Sequence, residues 1–309
     1  MSHFAVLVVG DDIEEKLAPY QENNMGTCAE EYLEFVSVED DYRKEYEEDS
    51  IEMWKNGDDL EYTWPERFKV GDILNKETMP DADIEAMGWE KVFIAHKDRY
   101  DTFEEFIEDW AGYDERNEET GEFGYYENPN AKWDWYQIGG RYAGRFKLKE
   151  NIKPETSPNF SWGWDSKSMK KVLEENKVDQ ALKGEIDWDV IHNNWADYDK
   201  ALRFWEMKVE GDEPETEEEK EQLKWDLYKP EFYTKRYGNK HTYAQCISNF
   251  TMWAIVTEDG KWIEKGEMGW FGMSGESHDE AIQWELNFFD EFIKPLDDDI
   301  LLTIVDCHI

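Results

Sequence analysis

The chain has 309 residues, enough for one large domain or two ordinary ones with real cores. Its 75 Asp and Glu outweigh 34 Lys and Arg for a formal net charge of −41, a balance that repels phosphates and excludes a direct binder of DNA, RNA or an anionic membrane. With 39% hydrophobic residues and 16 each of Trp, Tyr and Phe, it is no solvating acidic tail.

The apolar run Phe4–Val9, stopped by Gly10-Asp11-Asp12, predicts a buried strand and is too short for a secretory core or a membrane span. Residues 30–59 carry thirteen acids, with an apolar residue every three or four positions, which predicts helix with a broad carboxylate face. Thr102–Tyr113 repeats that style, with Phe103, Phe106, Ile107 and Trp110 on one face. Helices are further expected over Ser166–Lys183, capped by Asp165 or Ser166, over Asp187–Val209, and after Thr216. Met252–Val256 and Lys261–Lys265 flank the turn signal Glu258-Asp259-Gly260 as a hairpin. Ser277 and Glu280 form a capping box for a helix to about Ile293, and Ile300–Val305 reads as a last buried strand. The expected fold class is α+β: a mixed sheet formed by the terminal strands and a hairpin, with acidic helices and an inserted helical region. The expected organisation is an N-terminal α+β region over residues 1–150, a helical insertion over 151–240, and 241–309 completing the same sheet.

Three segments could carry chemistry. In Asn128–Phe146 a turn leads into Trp133 and Trp135, then Gly139-Gly140 with Arg141 and Arg145. A glycine pair permits close approach of backbone and ligand, and two arginines could clamp a phosphate, so Trp133, Trp135, Arg141 and Arg145 make a candidate ligand pocket. The alternative is a glycine bulge whose arginines neutralise nearby acids. His3, Cys307 and His308, with Asp306 as a fourth group, could approach one another if the terminal strands are neighbours, and a zinc site is one outcome. No spacing matches a zinc motif, and Cys307 and His308 point to opposite faces if extended. Lys261–Gly275, with glycines every third residue and Trp270 and Phe271 between them, reads either as a partner-contacting loop or as a pinned connection. Cys28, Cys246 and Cys307 are odd in number and widely spaced, which predicts free thiols in a reducing compartment. No Walker loop, GxSxG, HExxH or dinucleotide fingerprint occurs, so no motif points to an enzyme and no cofactor or metal is expected.

The opening SHFAVLVVGDDIEEKLAPYQEN, the segment NPNAKWDWYQIGGRYAG and the closing DILLTIVDCHI resemble a family of bacteriophage and prophage proteins; residues 30–59 and 151–240 lie outside those blocks. The resemblance implies a viral protein acting in the host cytoplasm and carries over no activity. Small acidic phage proteins without catalytic motifs resemble inhibitors of restriction, CRISPR or other host defences. Spread evenly over roughly 13,600 Å² of surface, the charge would have about a third of the density of duplex DNA, so a DNA mimic requires clustering. Glu30, Glu31, Glu39, Asp40, Asp41, Glu45, Glu47, Glu48 and Asp49 are the clustered candidates for contact with a host protein that carries a basic nucleic-acid-binding surface, with Trp270 and Phe271 adding apolar area. The alternative function is binding or hydrolysis of a phosphate-bearing small molecule, such as a nucleotide signal, in the Trp/Arg pocket.

Overall fold

The computed structural model describes residues 2–63, 80–268 and 274–309, and within it the chain forms two compact units. Unit one comprises residues 1–32 and 128–309; unit two is Leu33–Glu127. The N-terminal region expected over residues 1–150 is therefore divided, and residues 151–240 belong to unit one.

Unit one is built on a mixed sheet. Its strands are β1 (His3–Val9), β2 (Trp135–Ile138), β3 (Gln180–Leu182), β4 (Ala254–Val256), β5 (Trp262–Glu264) and β6 (Leu301–His308). The order is β3-β6-β1-β4-β5, with β2 also paired to β6. The terminal strands β1 and β6 are antiparallel neighbours, and β1 runs parallel to β4. Both faces of this pair are covered, which is why both strands read as continuous apolar runs. Leu7, Val9, Leu302 and Ile304 pack on one face with Phe146, Ile255 and Phe288. Phe4, Val6, Val8, Val305 and Cys307 pack on the other with Leu17 and Trp133.

β2 and β3 lie end to end along the same side of β6, opposite residues 305–308 and 301–303 respectively. The hairpin β4–β5 forms as expected, and Ser277 accepts from the Glu280 backbone N–H at the start of helix His278–Phe288. The helix expected over Ser166–Lys183 ends at Glu174; Lys177–Val178 pairs with Phe146–Lys147, and β3 joins the main sheet. Residues 151–240 are thus not purely helical. The helix expected over Asp187–Val209 is broken at Asn193, whose φ of 53° is left-handed, and restarts at Trp195 under an Asn194 cap. Its buried Phe204 and Trp205 pack with Tyr233 and Tyr243.

Unit two holds a three-stranded sheet with Ser50–Asn56 between Asp59–Tyr62 and Glu90–Ala95, and a separate pair, Glu34–Ser37 with Gly124–Glu127. Only Glu39–Glu48 of the acidic segment is α-helix, flanked by strands on both sides. Its Tyr42 and Tyr46 pack toward Phe103, Phe106 and Phe123. Among the described residues no helix is long and apolar enough to cross a membrane.

Candidate functional site

Register carries the site. Antiparallel pairing of β1 and β6 sets Val9 opposite Leu302, Leu7 opposite Ile304, Ala5 opposite Asp306 and His3 opposite His308. Side chains alternate between faces along a strand, so these pairs share one face. Two apolar rows thus give way to a polar row and then to an imidazole pair at the sheet's end. On the far side of β6, Gln137 joins the Asp306 row and Trp135 joins the histidine row.

The two histidines form twin dyads. His3 Nδ1 lies 2.8 Å from Asp306 Oδ1, and His308 Nδ1 lies 2.7 Å from Asp134 Oδ1. A carboxylate accepts, so each Nδ1 is the nitrogen that donates in these pairs, and Nε2 is the ring nitrogen left for acid–base work. Neither Nε2 has a partner among the described residues. The rings meet edge to face with centroids 4.9 Å apart, and the Trp135 indole stacks on His308 at 5.0 Å and 19°. Trp135 remains 41% exposed, leaving a flat aromatic surface at the rim.

The carboxylates are held in turn. Asp306 has no exposed surface, and its Oδ2 accepts the Arg141 backbone N–H at 2.8 Å. Asp134 Oδ1 also accepts the Trp135 N–H, at 2.7 Å. Tyr142 Oη donates to the His3 carbonyl at 3.0 Å, and burial pushes its phenol above the ordinary tyrosine value. The glycine pair sits where β2 ends. Gly139 and Gly140 both have positive φ, and a Cβ on Gly140 would stand 2.4 Å from Asp306 Oδ2. On Gly139 it would stand 2.2 Å from Asp179 Oδ2. Asp179 accepts the Gly144 and Asn159 N–H groups at 2.6 Å; desolvation raises its carboxyl, against the pull of those bonds. The double glycine therefore admits two buried carboxylates against the backbone.

Beside His3 opens a cleft of about 370 Å³, lined by Tyr142, Arg145, Trp253, Lys265 and Glu285 among others. Lys265 is paired to Glu285 at 2.6 Å. Arg145 lines it while remaining exposed, and partial desolvation holds its guanidinium below the usual value.

The sequence expectations divide here. His3, His308 and Asp306 do come together. Cys307 does not: it faces the opposite core with no exposed surface, and burial raises its thiol well above the ordinary value. Among the described residues no three His, Cys, Asp or Glu side chains are placed to hold a metal together, so the zinc arrangement is not formed. Trp133 is no pocket wall either; it is buried on the Cys307 face and donates to the Leu17 carbonyl at 3.1 Å. Arg141 and Arg145 neutralise no acid among the described residues, and only Arg145 lines the cleft. Asp134 was missed, because nothing in its local spacing distinguishes it among 75 acids.

The acidic candidates are dispersed. Glu30 and Glu31 are exposed on a short turn of unit one, whereas Asp40, Asp41, Glu47, Glu48 and Asp49 are exposed on or beside the helix of unit two. Glu39 and Glu45 are turned to internal partners: Glu39 accepts from Arg43 and the Phe123 N–H, and Glu45 accepts the Trp110 Nε1–H at 2.9 Å. Trp270 and Phe271 lie outside the described residues. Compared with protein-family models, curated proteins and solved structures, the chain finds no match.

Proposed function

We propose that the protein binds and hydrolyses a phosphate-bearing small molecule of the nucleotide type, with His3 and His308 as its acid–base pair. The observation that carries this reading is the pair of His–Asp dyads side by side at the end of the sheet, each with Nε2 unpartnered among the described residues. One neutral imidazole accepts the proton of the attacking water while the other, protonated, donates to the leaving oxygen. A monoester and water become alcohol and phosphate, a diester and water become alcohol and a phosphate monoester, and the proton returns between turnovers. The exposed face of Trp135 supplies a stacking surface for a base, an interaction that tolerates any base because each has a π-face.

Hydrolysis of a panel of nucleotide mono- and diesters, followed by chromatography of the products, tests the reading. Loss of a general acid or base lowers rate by roughly 10²–10⁴-fold. His3→Asn and His308→Asn are each expected to fall in that range with the fold retained. Turnover of no ester in the panel, or full turnover in both variants, removes it.

A second reading rests on a different observation: Asp40, Asp41, Glu47, Glu48 and Asp49 all face solvent around one helix. Such a surface steers a basic protein groove toward it, as an inhibitor of a host defence protein would require. Reversing these five to Lys is expected to abolish capture of a nucleic-acid-processing host protein that is retained at low salt and released at high salt. Unchanged capture sinks this reading.

A further inference from the structure

The fate of each arginine separates one cleft from the rest of this acidic molecule. Of the seven arginines among the described residues, Arg43, Arg203 and Arg236 pair with carboxylates. Arg99 lies over the Tyr62 and Tyr100 rings, and Arg116 lies 3.7 Å over Phe123. Arg141 and Arg145 have neither kind of partner. A chain with 75 acids offers counter-charges almost everywhere, so an arginine that lines a cleft yet pairs with none is a cation left open to an anionic ligand.

A second group in the same cleft is also unsatisfied. Trp253 lines it, and its Nε1–H is buried without any acceptor. Buried donors are almost always paired, and one that is not marks a position that a ligand acceptor can fill. Two larger clefts of about 650 Å³ have the opposite character. Acids outnumber bases in both: five acids against Lys265 in one, and Asp199, Glu218, Glu219 and Glu221 against Lys200 and the carboxylate-paired Arg203 in the other. Both repel anions. The His3 cleft alone of these three combines an unpaired arginine, an unsatisfied donor and a wall made by an acid–base histidine.

We infer that this cleft is the phosphate subsite, with Arg145 and the Trp253 indole N–H as its anion donors. The inference rests on the phosphate-ligand reading above and adds which side of the histidine pair the phosphate occupies. Trp135 lies beyond His308 on β2, and the cleft lies beyond His3 toward β4, so the imidazoles stand between stacking surface and anion site. Three strand gaps of about 4.8 Å separate β2 from β4, a span that a nucleotide with more than one phosphate can bridge.

Titration of inorganic pyrophosphate into the ¹⁵N-labelled full chain, followed through indole N–H resonances, tests the subsite. Trp253→Phe identifies the relevant resonance. That resonance is expected to move as pyrophosphate saturates, and Arg145→Gln is expected to weaken binding at least tenfold. Arg145→Lys, which keeps charge but loses the planar fork, should fall between the two. Saturation with the Trp253 resonance unmoved, no binding at all, or wild-type affinity in Arg145→Gln overturns the inference. Should Arg145→Gln not fold, affinity equal to wild type in both Arg145→Lys and Trp253→Phe overturns it instead. Ester turnover that depends on His308 while the Trp253 resonance ignores substrate removes the subsite and keeps the proposed function. Pyrophosphate bound at Trp253 with no ester cleaved does the reverse.

Discussion

Gly140 shows how much of the site depends on a missing atom. Its φ of 58° disfavours any side chain, and a Cβ would collide with the Asp306 carboxylate that holds His3. Gly140→Ala therefore combines a left-handed penalty with overpacking against a buried carboxylate, roughly 2–4 kcal/mol together. Gly260→Ala provides the contrast: φ is 80°, but its Cβ meets open space, so only about 1–2 kcal/mol is expected. Urea denaturation of the two variants measures the difference, and equal losses would mean that Asp306 yields freely. The same comparison shows what a sequence can reveal about residues. Gly139-Gly140 beside two arginines was visible as an unusual constellation. That the glycines make room for Asp179 and Asp306 was not, because those acids come from far later in the chain. His3 and His308 were legible only through the premise that the terminal strands are neighbours; the carboxylate partner Asp134 carried no signal.

Elements were legible where one strong pattern acted alone. Phe4–Val9 and Ile300–Val305 are apolar on both faces and became central strands. Ser277 with Glu280 marked a helix start, and the structure forms the reciprocal cap there. Ser277→Ala is expected to cost about 1 kcal/mol, read as a lower urea midpoint with unchanged slope. No change would assign the helix start to packing of Ala281 and Ile282 rather than to the cap. Patterns failed where composition blurred them. In residues 30–59 thirteen of thirty positions are acids, so an apolar residue every third or fourth place cannot separate a helix from short strands broken by turns. The structure accordingly keeps helix only over Glu39–Glu48. The Asp187–Val209 segment failed for a local reason, since Asn193 and Asn194 satisfy a left-handed turn and a new cap more readily than a continuing helix.

At the scale of the whole molecule, two histidines outside the proposed site couple folding to pH. His192 Nδ1 accepts the Phe250 N–H at 3.2 Å, its ring stacks on Phe289, and desolvation lowers its pKa, with Asp290 opposing and Lys294 adding to the shift. His96 in unit two lies between Phe106 and Trp110 with Nδ1 buried and unpartnered; desolvation lowers its pKa against the pull of Glu45 and Asp49. Both are held neutral in the fold, whereas an unfolded histidine takes up a proton near pH ~6.5. The unfolded state therefore binds more protons as pH falls, so stability is full above about pH 6.5 and declines from there toward each folded pKa. Carboxylate protonation acts in the opposite direction by relieving the self-repulsion of −41 charges, but it belongs mostly below about pH 5 and is screened by salt. In about 0.3 M NaCl, where the Debye length is well under 10 Å, Tm is expected to fall between about pH 7.5 and 5.5. His192→Asn keeps an acceptor for Phe250 and cannot titrate, and His96→Leu removes the other imidazole; each should flatten some of the slope, and the double variant most of it. Subtracting variant from wild type cancels the carboxylate contribution common to both, so an undiminished slope in the double variant would mean that neither buried imidazole sets the acid limit of this fold.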